Sequence, residues 1–161
     1  NFIKKINLKK KIMFKSKTFN NNLIDELNLD MNLAYGRLNI LKNFKISSSL
    51  FTCENNLNLF EDFPIFYFNC SIDTSDKKKL LKKIKIEYKN KREPFYLEVK
   101  GNLNVLNNKV NFEDIKLRSG YKASEDDLKY FKSTFESIIF DQTFIQMFKV
   151  SKIKKFILEI S

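Results

Sequence analysis

Residues 95–105, FYLEVKGNLNV, alternate along their length. Phe95, Leu97, Val99, Leu103 and Val105 fall on one side, and Tyr96, Glu98, Lys100, Asn102 and Asn104 on the other. Side chains of an extended strand point to opposite faces in turn, so this is a strand with one dry face and one wet face. Gly101 sits on the apolar side, where the missing side chain lets a strand bend or bulge. The following Leu106-Asn107-Asn108-Lys109 reads as a tight turn, because Asn tolerates positive φ. Val110, Phe112, Ile115 and Leu117 then form a return strand, with a bulge near Asp114 to reset the phase.

The same grammar extends upstream. GRLNILKNFK, residues 36–45, echoes GNLNVLNNKV, residues 101–110, at Gly, Leu, Asn, Leu and Asn. By analogy a hairpin turn is expected at Leu41-Lys42-Asn43. LNLDMNL, residues 27–33, puts Leu27, Leu29, Met31 and Leu33 on one face. Ile84, Ile86 and Tyr88 oppose Lys85 and Glu87, which predicts another strand at 84–88. Further strands are expected at 12–19, within 49–60, and at 65–72, where Pro64 precedes the first strand residue. Residues 73–83 read as a polar loop with one helical turn, and 90–94 as a turn.

At Ser124 the period changes. SEDD gives a Ser N-cap with Asp127 three residues on, and Leu128, Phe131, Phe135, Ile138 and Ile139 recur at helical spacing. An amphipathic helix is expected at 125–139, a short second helix at 142–149 carrying Phe144, Ile145 and Phe148, and a closing strand in KIKKFILEIS. The fold class that follows is mainly β with a small C-terminal α part. It is a curved, mostly antiparallel sheet, either an open groove or a half-barrel. The whole is read as a single β-rich domain over 1–161, the C-terminal fragment of a longer protein. Its sheet region spans 6–117, and a helical cap with a closing strand spans 124–161.

Composition narrows the chemistry. The chain has 161 residues, 43% of them hydrophobic, which is enough for a core. No apolar run reaches the ~18 residues of a transmembrane helix. The net charge is +11, but Lys outnumbers Arg 27 to 3 and the lysines are scattered. A base-reading surface favours the planar fork of Arg, so nucleic acid is a disfavoured partner. No His is present, so acid–base work near neutral pH falls to carboxylates, Lys or Tyr. The acidic clusters Glu61-Asp62, Glu113-Asp114 and Glu125-Asp126-Asp127 all sit at turns or a helix start. The three glycines are isolated, which excludes a phosphate-cradling loop. The chain is therefore read as non-enzymatic, with no cofactor and no metal. Cys53 and Cys70 leave two readings open: separate buried thiols, the favoured one, or a disulfide in an oxidising compartment if two strands bring them together.

The G-x-L-N-[IV]-L-x-N phrase, set in strand-rich, Asn- and Lys-heavy sequence, resembles the AsmA-like family of Gram-negative bacteria. So does the tail, with Phe144, Phe148 and Val150 before KIKKFILEI. The likeness runs over about residues 6–160 and is closest over 95–160. It implies a periplasmic domain, anchored to the inner membrane by an upstream segment, in which β units line an apolar groove for phospholipid transfer or outer-membrane assembly. The groove face would be Leu29, Met31, Leu33, Ile84, Ile86, Leu97, Val99, Leu103 and Val105. Phospholipid or another acyl-chain ligand is the expected partner. The alternative is an assembly scaffold that pairs with a protein through its sheet edges and carries no ligand.

Overall fold

The computed structural model describes residues 5–16, 23–60, 62–139 and 150–159. Seven strands run in chain order across one sheet: β1 (Asn7–Lys15), β2 (Glu26–Ala34), β3 (Arg37–Ile46), β4 (Ser49–Asn58), β5 (Ile65–Thr74), β6 (Phe95–Asn104) and β7 (Lys109–Leu117). Every neighbouring pair is antiparallel, and β1 is not paired with β7, so the sheet is open. Among the described residues three helices accompany the sheet: α1 (Lys77–Lys83), α2 (Glu125–Ile139) and α3 (Val150–Glu159). The protein is thus mainly β with a small helical part.

β6 and β7 form as their alternation predicts. The register slips by one between Lys100 and Gly101, so Lys100 faces Asp114 while Gly101 faces Phe112. Glu113 is the extra residue of a β-bulge. The bulge resets the phase, and Val110, Phe112, Ile115 and Leu117 thereby all share one face. A Cβ at Gly101 would lie 2.3 Å from the Asn111 carbonyl oxygen and 2.7 Å from the Phe68 ring, so only glycine fits there.

The echoed phrase at 36–45 is built differently. Leu41, Lys42 and Asn43 lie in the middle of β3, not in a turn. The chain turns instead at Tyr35 and Gly36, with φ of 50° and 74°, the left-handed pair that matches strand twist. It turns again at Ser47, φ 59°, whose N–H donates to the Asp25 carboxylate. Ten residues with Leu38, Ile40, Phe44 and Ile46 in phase find partners on both sides, and that pairing overrides the local turn signal of Asn43.

The strand predicted at 84–88 is also corrected. Residues Lys77–Lys83 form α1, capped by the Asp76 side chain accepting from Lys79 N–H, and Ile84 is its C-cap. Lys85 reverses the chain at φ 62°. No strand position is free there, because β5 and β6 pair directly with each other over their full length. The apolar residues anchor the connection instead: Leu80 and Ile86 are buried. The closing strand is likewise a helix, α3. The expected alternation rests on Phe156, Leu158 and Ile160, but Phe156 lies in the helix and its ring meets that of Phe135 on α2 at 5.4 Å, edge to face. The first strand is β1, seven to fifteen in numbering. Residues 17–19 of the early strand, Glu61, and the short helix expected at 142–149 lie outside the described residues.

Cys53 and Cys70 stand directly opposite on β4 and β5 and form a disulfide, with 4.1 Å between Cα atoms. The favoured reading of two separate thiols is overturned by register: both cysteines occupy the same cross-strand rung, where side chains lie closest.

Candidate functional site

Directly paired residues of neighbouring strands point to the same face, so the register sorts every strand side chain. One rung runs Ile12, Leu29, Lys42, Cys53, Cys70, Val99 and Ile115 from β1 to β7. The rung beside it runs Lys10, Met31, Ile40, Asn55, Phe68, Gly101 and Phe112. Outside these lie Leu8, Leu33, Leu38, Leu57, Phe66, Leu103 and Val110 on one flank, and Phe14, Leu27, Phe44, Phe51, Ile72, Leu97 and Leu117 on the other. The result is a seven-strand apolar wall. Phe44 and Phe51 stack on it with centroids 4.6 Å apart.

Among the predicted groove residues, Leu29, Met31, Leu33, Leu97, Val99 and Leu103 are brought together on this wall. Ile84 and Ile86 are not, because they follow α1 in the β5–β6 connection. Val105 lies one residue past β6, in the turn. Lys42 and Asn55 belong to the wall but are absent from the sequence expectation. Reading 37–46 as one strand would have placed Lys42 in phase with Ile40 and Phe44.

Cover over the wall is uneven. At the β7 end, Phe135 of α2 packs edge-on against Phe112 with centroids 5.6 Å apart, and Phe112 meets Phe68 at 6.2 Å. Glu136 accepts from Val110 N–H at 3.0 Å and pairs with Lys109. The Ser124 cap and Asp127 fix the start of α2 by reciprocal hydrogen bonds. Val110 is 2% exposed and Leu103 and Ile115 are 9%, whereas Leu8 is 53%, Phe14 47% and Ile12 39% at the β1 end. The β2–β4 part of the wall is half-buried, with Leu29, Met31, Leu33, Leu38, Ile40 and Leu57 all in that state.

The two faces differ in charge. All seven strand carboxylates, Glu26, Asp30, Glu54, Asp73, Glu98, Glu113 and Asp114, lie on the opposite, polar face. There Glu26, Asp30, Glu98 and Asp114 pair with lysines, as in Lys45–Glu26 at 2.8 Å and Lys100–Glu98 at 3.0 Å, and Asp73 pairs with Arg118. Lys45 first, and Lys15 after it, holds the Glu26 carboxyl below its usual range. Lys116 does the same for Asp114, and Asp114 in turn raises Lys116. The apolar wall carries two cations, Lys10 and Lys42, and no acid. Burial lowers the pKa of Lys42.

Three further polar side chains sit on the wall. Ser49 and Thr74, 0% and 2% exposed, satisfy each other, with Ser49 Oγ donating to Thr74 Oγ1 at 2.8 Å. Asn55, 5% exposed, leaves its Oδ1 without a donor. A shallow cleft of about 520 Å³ crosses β1 to β4; eight of its twelve lining residues, such as Lys9, Asp30, Asn39 and Glu54, belong to the polar face, and the other four, Lys10, Met31, Ile40 and Asn55, to the second rung of the wall. Charges and amides outnumber the apolar residues Met31, Ile40 and Leu41 in its lining, so we place the candidate site on the apolar wall. Among the described residues, no group of three or more metal-type side chains gathers, and no helix is long and apolar enough to cross a membrane. No family model matches this chain, and neither does any curated protein or solved structure.

Proposed function

We propose that this chain is a non-enzymatic, AsmA-like lipid-handling domain that shelters acyl chains against its apolar sheet face. The observation that carries the reading is the wall itself: four parallel rungs of mostly apolar side chains over seven strands, interrupted at Lys10, Lys42, Asn55 and Gly101, with helical cover at the β7 end and exposed Leu8, Ile12 and Phe14 at the other. The wall is half-buried over β2–β4 and exposed at Leu8, Ile12 and Phe14, an apolar surface that a bound partner would cover. Each methylene moved from water onto such a surface contributes ~0.8 kcal/mol, so an acyl chain laid across the rungs gains several kcal/mol before ordering costs. The Cys53–Cys70 disulfide supports an oxidising compartment, in keeping with a periplasmic domain tethered to the inner membrane and serving outer-membrane biogenesis.

The test is lipid extraction of the purified protein followed by mass spectrometry, together with titration of a fluorescent fatty acid. Copurified phospholipid or saturable uptake is expected. Absence of both removes the reading.

A second reading, an assembly scaffold, is favoured by the sheet edges. The outer side of β7 is occupied: Ala123 N–H donates to Ile115 O at 2.9 Å, Leu117 N–H to Tyr121 O at 3.0 Å, and Val110 N–H to Glu136. β1 pairs with β2 alone among the described strands, and every one of its residues is exposed. Such an edge accepts a further strand. Sedimentation analysis distinguishes this role: self-association lost on placing a proline within β1 supports it, and a monomer at all concentrations counts against it.

A further inference from the structure

We propose that the β1 edge of the sheet docks an acidic strand: an extended segment of a partner protein in which carboxylates alternate with apolar side chains. The proposal rests on the open edge of the scaffold reading and names the chemistry of the strand that pairs there.

The two edges of the sheet are finished differently. On the outer side of β7, Glu136, Ala123 and Tyr121 meet the backbone of Val110, Ile115 and Leu117. All nine residues of β1 pair with β2, and among the described residues no hydrogen bond reaches the outer side of β1. Half of a strand's N–H and C=O groups point to each side, so β1 turns a row of donors and acceptors to water.

Charge selects what pairs with that row. β1 carries Lys9, Lys10, Lys11 and Lys15 and no acid. Lys9, Lys11 and Lys15 lie on the polar face, while Lys10 shares the wall with Leu8, Ile12 and Phe14. The inner neighbour β2 answers these cations sparsely. Lys9 faces Asn32 and Lys10 faces Met31, and neither has an ion pair among the described residues. Lys11 meets Asp30 at 3.8 Å. Lys15 meets Glu26 at 3.5 Å, but Lys45 holds the same carboxyl group more closely, at 2.8 Å. The outer side of β1 therefore attracts carboxylates.

A second copy of β1 is a poorer match. In the antiparallel register that overlaps all nine residues, Lys11 stands opposite Lys11, and Lys9 lies diagonal to Lys11 and Lys15 of the other copy. Like charges directly opposite destabilise a pair, and lysine on an edge strand guards against self-pairing. A strand with Glu or Asp at every other position places carboxylates beside Lys9, Lys11 and Lys15. Its apolar residues then extend the wall past Leu8, Ile12 and Phe14, all of them exposed.

The experiment is an anisotropy titration of the full chain with labelled peptides of the length of β1. One alternates Glu with Val, one alternates Lys with Val, and one has the composition of the first with its Glu and Val in two blocks. Hydrogen exchange of the β1 amides is followed on the same mixtures. The alternating Glu peptide is expected to bind about tenfold tighter than either control, each of three cross-strand ion pairs contributing about twofold, and to slow exchange within residues 7–15. Lys9→Glu is expected to weaken it about fourfold, and Lys9→Glu with Lys11→Glu by about tenfold or more, with the Lys peptide becoming the tighter ligand. Lys9→Glu faces Asn32 and breaks no ion pair, so it carries the comparison by itself where the double variant fails to fold. Equal affinity for the Glu and Lys peptides, or Glu-peptide binding that slows no exchange in β1, overturns the proposal while the open edge stands. No binding of any peptide overturns the proposal and the open edge together. Self-association that competes with the Glu peptide overturns the acidic partner in favour of a second copy and leaves the scaffold reading standing.

Discussion

Replacing Gly101 by Ala tests the geometry on which the wall depends. In an ordinary strand this change stabilises, because Ala loses less backbone freedom on folding, by about 0.5–1 kcal/mol. Here the sign reverses. The new methyl would lie 2.3 Å from the carbonyl oxygen of Asn111 and 2.7 Å from Cζ of Phe68, against ordinary contacts of about 3.5 Å. About 1 Å of displacement must therefore be found. Phe68 can rotate, but the oxygen belongs to the backbone of β7, one residue from Phe112 beside the bulge. Overpacking of this kind costs typically about 1–3 kcal/mol. Net of the backbone gain, Gly101→Ala should lose about 1–2 kcal/mol, which lowers Tm by roughly 2–8 °C in a chain of this size. Urea denaturation with a matched thermal melt measures both. The double variant Gly101→Ala, Phe68→Leu should recover only part of the loss, because the clash with Asn111 remains. A neutral or stabilising Gly101→Ala would refute the bulge, and with it the phase change that puts Ile115 and Leu117 on the same face as Phe112.

Four other outcomes are expected. Changing Cys53 and Cys70 together to Ala should cost about 3 kcal/mol, since the bond closes a loop with a sequence separation of 17; reductive titration followed by urea melts checks it. Phe135→Ala should cost about 3 kcal/mol, because its ring joins Phe112 on β7 to Phe156 on α3, and urea unfolding reads the loss. Lys42 has a folded-state pKa below its unfolded value, so the folded protein is penalised while Lys42 is charged. That penalty is fully present below the folded pKa and fades as pH rises through it toward 10.5; Lys42→Met should therefore stabilise at pH 7 and show less gain near pH 10.5 in thermal melts. Asp127 is held below 3.8, first by the Ser124 N–H and then by the Tyr121 and Ser124 hydroxyls. Its stabilising contribution is present above 3.8 and lost as pH falls through the lower folded value, so Asp127→Asn should flatten the acid limb of the stability profile.

Legibility in the sequence followed the range of the interactions. β6 and β7 were readable because a hairpin is a local structure, and the two-residue period, the Asn turn and the phase shift all lie within 95–117. α2 was readable because its cap and stripe are local as well. At 84–88 the same alternation misled. A period of two shows only that a segment could be a strand, and β5 and β6 had already taken each other as partners. At 41–43 the Asn signal was outweighed by ladder bonds on both sides of β3. In the tail, alternation at Phe156, Leu158 and Ile160 misled as well, and packing of Phe156 on Phe135 decided for the helix. Six of the nine predicted groove residues reached the wall; Ile84, Ile86 and Val105 followed the fate of their segments.

By itself the sequence determined that the strands would have one oily and one polar side, since that property needs nothing beyond alternation along the chain. It also determined where the helical cap begins, because the Ser124 box and the stripe behind it are contiguous. Only the tertiary structure decided which strand lies beside which, and hence that Cys53 meets Cys70, that all seven strand carboxylates face away from the wall, and that Lys42 stands on it beside the unmet oxygen of Asn55. Those are matters of register between residues far apart in the chain, fixed by ladder pairing and helix cover rather than by any local preference.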